Sequence, residues 1–289
     1  MRIHNILFLM AAAGLVLTSC GKLPDSRLIT IEAGIGTMTK VTYTTDDAAV
    51  FASGDELSLY AWMGSSSAVP AVRIVDGVKN TFDGAKWTPD LPMLWDDKSS
   101  KHYFLGISPA RKVTNFTADP YTLDPANFAA SDLLIATNLD GLTPTSKPVP
   151  LNFSHAMARL DVNLTFRTQW ASAPTVTSVT ATAKKTATVD YLSKTVSATG
   201  TAAPVALTAK NNAAWSGLQV PQEGVRTITI RIDDKDYVFT HTADIPLAGG
   251  KYTTVNLNVG RDKIELASVI TISNWTAGTT ISDGEAQDD

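Results

Sequence analysis

Between Pro148 and Phe166 two apolar alternations run out of step. Val149, Leu151 and Phe153 occupy odd positions, while Leu160, Val162, Leu164 and Phe166 occupy even ones. A period of two marks a half-buried strand. A slip of one residue turns every side chain to the opposite face, so one straight strand cannot send both sets into one core. The stretch Ser154 to Arg159 must hold a bulge, a short turn or a crossing from one sheet to another. We take it as the seam between two β-domains, divided at residues 148 and 149.

Length agrees with that division. A chain of 289 residues is enough for two domains, each large enough to build its own core. Thr, Ser, Ala and Val are frequent, Pro and Gly are spaced throughout, and charged residues make up only 18%. That is the composition of an all-β protein with many short strands. A net charge of −4 offers no basic face and argues against nucleic acid as a partner.

Residues 1–19 have the form of a signal peptide. Arg2 is followed by an uncharged run from Ile6 to Leu17, too short to span a membrane. It ends in Leu17-Thr18-Ser19-Cys20, which resembles a bacterial lipobox: an apolar residue, two small ones, then a cysteine whose thiol takes a diacylglyceryl group. Cys20 is the only cysteine, so no intramolecular disulfide competes for it. Each buried acyl methylene contributes about 0.8 kcal/mol, and two chains anchor stably. The mature protein is therefore expected to start at Cys20, held to a membrane by lipid.

Beyond the polar tether, Leu28 to Ile35 alternates with Ile29, Ile31 and Ile35 on one face. Gly36 to Lys40 interrupts the pattern, and a basic residue in such a linker is open to a trypsin-like protease. Leu57 to Trp62 carries bulky groups on both faces and predicts a strand buried on both sides. Trp87 to Pro89 and Leu91 to Trp95 read as irregular apolar segments. Residues 109–147 form a poorly patterned connection, ordered only at Ser131 to Ala136 and packed in part on the surface. After the seam, Thr175 to Ala183 predicts a strand, Ala187 to Ala198 a hairpin, and Trp215 to Pro221 an apolar turn. Asp233 to Asp236 predicts a second hairpin turn. Thr253 to Val259 and Val269 to Trp275 are the last strands. Their even spacing indicates a sandwich.

Chemistry-bearing residues are scattered. His4, His102, His155 and His241 show no metal-ligand spacing. Ser154 and His155 are sequence neighbours, not a nucleophile and its base, and His155 reads as a packed or hydrogen-bonded residue at the seam. Asp233 to Asp236 lacks the Gly and Glu of a calcium loop and reads as a solvated turn. No cofactor, metal or catalytic residue is expected. The six tryptophans Trp62, Trp87, Trp95, Trp170, Trp215 and Trp275 are candidate sugar platforms, with loop anchoring the plainer role for Trp87 and Trp95.

Several stretches together resemble the fimbrillin family of Bacteroidales, the lipoprotein-derived subunits of type V surface pili. They are the lipobox, Phe51 to Leu57, Trp95 to Pro109, Asp132 to Ala136, the seam from Pro148 to Leu164, Gly249 to Tyr252, and Ile270 to Trp275. The resemblance implies two tandem transthyretin-like β-sandwich domains, 20–148 and 149–289. It implies export as an outer-membrane lipoprotein through Cys20 and a place at the cell surface in a fimbrium. Cleavage after a basic residue, Lys40 with Arg27 as runner-up, would release the strand carrying Ile29, Ile31 and Ile35. Assembly with other fimbrial subunits would then follow by donor-strand exchange. The best donor in this sequence is Val269 to Ile281, with Val269, Thr271, Trp275 and Ile281 as its landmarks. A host or bacterial surface ligand is a further possible partner. The alternative is a surface glycan-binding lipoprotein that does not polymerise.

Overall fold

The computed structural model describes residues 27–36, 50–70 and 72–275, so Cys20, Lys40 and Ile281 lie outside the described residues. The first half contains β1 (Ile31–Ile35), β2 (Glu56–Met63), β3 (Val75–Phe82), β4 (Trp87–Pro89), β5 (His102–Ser108), β6 (Asp119–Thr122), α1 (Phe128–Ser131), β7 (Leu134–Leu142) and β8 (Val149–His155). Seven of these strands form one sheet in the order β1-β8-β7-β5-β2-β3-β4. β1 runs parallel to β8, with Ile31 opposite Val149 and Ile35 opposite Phe153. The sheet curls until its ends meet. Leu28, just ahead of β1, bridges Leu94, just beyond β4. The Ile29 N–H donates to the Met93 carbonyl at 2.8 Å, and the Trp95 N–H to the Arg27 carbonyl at 3.1 Å.

The curl encloses a first core, in which Ile29, Ile31, Leu57, Leu59, Phe104 and Phe153 are buried. Gly106 makes that packing possible: a Cβ there would stand 2.7 Å from the Phe153 ring. β2 is buried along nearly its whole length, as its two-faced pattern predicts. Its other face sends Tyr60 and Trp62 into a second core shared with the rest of the chain. β8 alternates as expected, but it pairs with β1 and β7. Residues 149–155 therefore sit in the first sheet, and the change of phase is where the chain passes to another.

The second half contains β9 (Ala158–Phe166), β10 (Val176–Ala183), β11 (Thr186–Asp190), β12 (Thr195–Thr199), β13 (Ala203–Ala206), β14 (Thr208–Asn211), β15 (Ala214–Gln219), β16 (Thr227–Ile232), β17 (Lys235–Thr240), β18 (Lys251–Val259), β19 (Ile264–Leu266) and β20 (Thr271–Asn274). One sheet runs β14-β15-β9-β18-β19, with β20 also paired to β18. A second runs β13-β10-β16-β17. Leu160, Val162, Val255 and Leu257 from the first meet Val179, Ala181, Ile228 and Ile230 from the second in the shared core. Both predicted hairpins form, β11 with β12 and β16 with β17. Two segments differ from expectation. Trp215 to Gln219 is not a turn but most of β15, zipped along β9, and Trp87 to Pro89 is the strand β4.

The Pro-rich connection lies in part on the surface, as expected, but it is ordered beyond Ser131 to Ala136, with β6 and the rest of β7, and its apolar residues join the two halves. Val113, Phe116, Tyr121, Leu123 and Leu133 are buried in the shared core. Its strand β6 crosses to the second half and completes the sheet β12-β11-β6. The Tyr60 hydroxyl donates to the Arg111 carbonyl at 3.0 Å and accepts from the Val113 N–H at 2.7 Å. Tyr191 donates to Asp119 Oδ2 at 2.9 Å, where Arg111 also sits at 2.8 Å. Tyr121 donates to the Ser131 carbonyl at 2.8 Å. Burial pushes the hydroxyl pKa of Tyr60, Tyr121 and Tyr191 above the usual tyrosine value.

Candidate functional site

Among the described residues, those singled out from sequence as strand-exchange sites lie on or beside two edge strands. On the first, Ile29 is 2% exposed and Ile31 8% exposed, both in the enclosed core, while Ile35 is half-buried at the end of β1. β1 pairs with β8, and the residues just ahead of it bond to the Met93 to Trp95 backbone through Arg27 and Ile29. Fully burying an isoleucine contributes roughly 1.5–3 kcal/mol. Arg27 is exposed, but its carbonyl is engaged by the Trp95 N–H. The peptide bond following Arg27 is thus built into the closure of the sheet.

The second edge strand is β20. It pairs antiparallel with the start of β18, from Lys251 opposite Asn274 to Thr254 opposite Thr271. Its side chains bury little: Val269, just before it, is 80% exposed, Thr271 is exposed and Ile272 is 45% exposed. Trp275 is the exception at 7%. Its ring stacks on His155, with centroids 3.9 Å apart and planes 7° from parallel. The Arg159 guanidinium lies 5.5 Å over the same ring, and Phe128 meets it edge-on at 6.0 Å.

His155 is fixed in turn. Its Nδ1–H donates to Asp132 Oδ1 at 2.8 Å, which sets both the tautomer and the ring plane. The turn before β18 presses against the same backbone. A Cβ on Gly249 would stand 2.8 Å from the Ala156 carbonyl oxygen. The neighbouring Gly250, at φ +68°, takes a conformation that L side chains rarely adopt. Its N–H donates to the Met157 carbonyl at 2.9 Å, and its carbonyl accepts from the Trp275 N–H at 2.7 Å.

The two strand ends open on one space. A cavity of about 810 Å³ is walled by Ile35 and Phe51 from the β1 side and by Phe128, Asp132, His155 and Trp275 from the junction. Sequence reasoning placed Ile35 and Trp275 on candidate strands but had no means of bringing them to one cavity. Asp132 and Phe128 were missed, because nothing local in the chain links them to a histidine more than twenty residues on. As for sugar platforms, Trp62, Trp87, Trp95, Trp215 and Trp275 are all buried. Trp170 is half-buried, with its Nε1–H given to the Val259 carbonyl. Among the described residues no cluster of three or more His, Cys, Asp or Glu could hold a metal.

A family model described as fimbrillin-like matches residues 39–275. Solved structures agree in fold. A candidate cell adhesion protein from Bacteroides uniformis superposes with a TM-score of 0.65 at 17% identity, covering 88% of this chain and 100% of its own. A fimbrial protein from Bacteroides vulgatus gives 0.53 at 13% identity, covering 86% and 100%. The tip fimbrial protein Mfa3 from Porphyromonas gingivalis, with a C-terminal truncation, gives 0.51 at 12% identity, covering 77% and 95%. No curated protein sequence matches the chain.

Proposed function

The chain belongs to the fimbrillin-like family, and on that premise we propose that it is a non-catalytic subunit of a bacterial surface fimbria, assembled with other subunits by donor-strand exchange. It is exported as a lipoprotein, acylated at Cys20 and carried on the outer membrane. Its two sandwich-like units are divided at the crossing after His155. Cleavage after Lys40 frees β1, and a strand from another subunit, the segment Val269 to Ile281, takes its place.

One observation carries this reading: the edge segment formed by β1 and the residues just before it puts Ile29 and Ile31 into the core. Its departure would leave the places of Ile29 and Ile31 empty. It would also bare the backbone of β8 on one side and of Met93 to Trp95 on the other. Such a groove is an acceptor for an added strand. Lys40 is preferred to Arg27, because a cut after Arg27 leaves β1 in place and its peptide bond lies within the sheet closure. The test is to treat the purified protein with a Lys-specific protease and measure its size. Multimer ladders are expected, and they should disappear with Lys40→Ala. Quantitative cleavage at Lys40 that leaves only stable monomer would refute assembly by this route.

A further inference from the structure

We propose that the stack of Trp275 on His155 is the catch that keeps the C-terminal strand on its own subunit until assembly. The inference rests on the reading above in one respect only, that β20 has somewhere else to go. A strand that is to be donated must first be retained, or free subunits would associate at random through it. Yet β20 itself offers little to retain it, being four residues long with exposed or half-buried side chains. Among the described residues of this segment the one fully buried large side chain is Trp275, directly after it, while Ile270, directly before it, is half-buried against the shared core.

The seat of Trp275 is assembled from three parts of the chain. Phe128 and Asp132 come from α1 and the turn after it, His155 from the end of β8, and Arg159 from β9. Asp132 holds the imidazole in the plane that the indole needs. The Gly250 carbonyl takes the Trp275 N–H, so ring and backbone are fixed together. The ring also borders the cavity of about 810 Å³, giving it open space next to its seat. Losing the stack therefore releases the strand locally, while β9 and β15 keep their own pairing.

The experiment is hydrogen exchange read by mass spectrometry on the full-length, uncleaved protein, comparing wild type with Trp275→Ala, His155→Ala and the control Ile272→Thr. In the first two variants exchange at 271–274 should rise by about tenfold or more relative to β9 and β15, and the control should match wild type. Protection at 271–274 that survives Trp275→Ala overturns the proposal. So does a loss shared equally by β9 and β15, which would make Trp275 an ordinary core residue. If either alanine variant fails to fold, Asp132→Asn keeps both rings and should show the same local effect at smaller size; no local effect there counts against the catch. Lys-specific cleavage of the same variants separates the two ideas. A freed strand without multimers refutes donor exchange and leaves the catch standing. Multimers with an unchanged strand refute the catch alone.

Discussion

β1 and β20 are alike in outline and opposite in energetics. Each is a short edge strand, five and four residues long, with one backbone partner strand in its own sheet. Their ladders are similar in length, and the segment ahead of β1 adds only two backbone bonds, from the Ile29 N–H to Met93 and from the Trp95 N–H to Arg27, so pairing separates them little. Burial does. β1 and the residue two before it place Ile29 and Ile31 in an enclosed core, whereas β20 buries nothing large until Trp275. In the proposed assembly β1 would leave a costly groove, and β20 would cost little to move once Trp275 lifts. The proposed roles, an acceptor groove at β1 and a donor at β20, require that difference.

The strongest way to break the comparison is at the isoleucines. Ile29→Ala and Ile31→Ala should each cost about 2–5 kcal/mol, read as a fall in denaturant midpoint at constant slope. If the pair together cost less than about 1 kcal/mol, β1 is no more embedded than β20 and the contrast fails.

Alkaline pH should act on one side only, with a smaller effect. Tyr60, Tyr121 and Tyr191 lie in the shared core, and burial raises all three above the ordinary tyrosine value. A raised folded pKa gives stability that is complete below the unfolded value and lost as pH climbs through the folded one. Tyr121 holds the Ser131 carbonyl next to Asp132, so the seat of Trp275 is in the path of that loss. Among the described residues the core around β1 contains no tyrosine. Above pH 10, protection at 271–274 should therefore fall before protection in β1 and β8. Simultaneous loss would show that the two regions are not separable.

The smallest effect belongs to the outer face of β20. Val269→Ser and Ile272→Thr remove exposed apolar groups and should leave the unfolding midpoint within about 0.5 kcal/mol of wild type. A larger loss would mean that these side chains are covered in solution.

Legibility in the sequence followed local order. β8, β9 and β18 announce themselves by alternation, and the turn at Asp233 to Asp236 by composition, because period and turn chemistry are properties of neighbouring residues. The membership of β8 was not legible: alternation says that Val149, Leu151 and Phe153 are buried, not in which core. β15 was hidden because Trp215, Ser216 and Gly217 do not alternate and are buried regardless. β6 was hidden because four residues containing Pro120 carry little pattern. Of the candidate site, the burial of Ile29 and Ile31 could be read in advance. The stack of Trp275 on His155 could not, since it joins residues 120 positions apart.

The crossing of β6 also decides how the molecule bears tension. Between the two halves the chain passes at Ala156 and Met157, which alone would be a simple hinge. β6 adds a strap: Asp119 to Thr122 lie in register against Val189 to Thr186, and Tyr191 grips Asp119 at the strap's end. A force that draws the halves apart must strip this ladder, uncover the tyrosine and open the apolar core the halves share before the hinge can swing. In the proposed filament each subunit would thus resist small loads through this strap and lengthen only after it gives way.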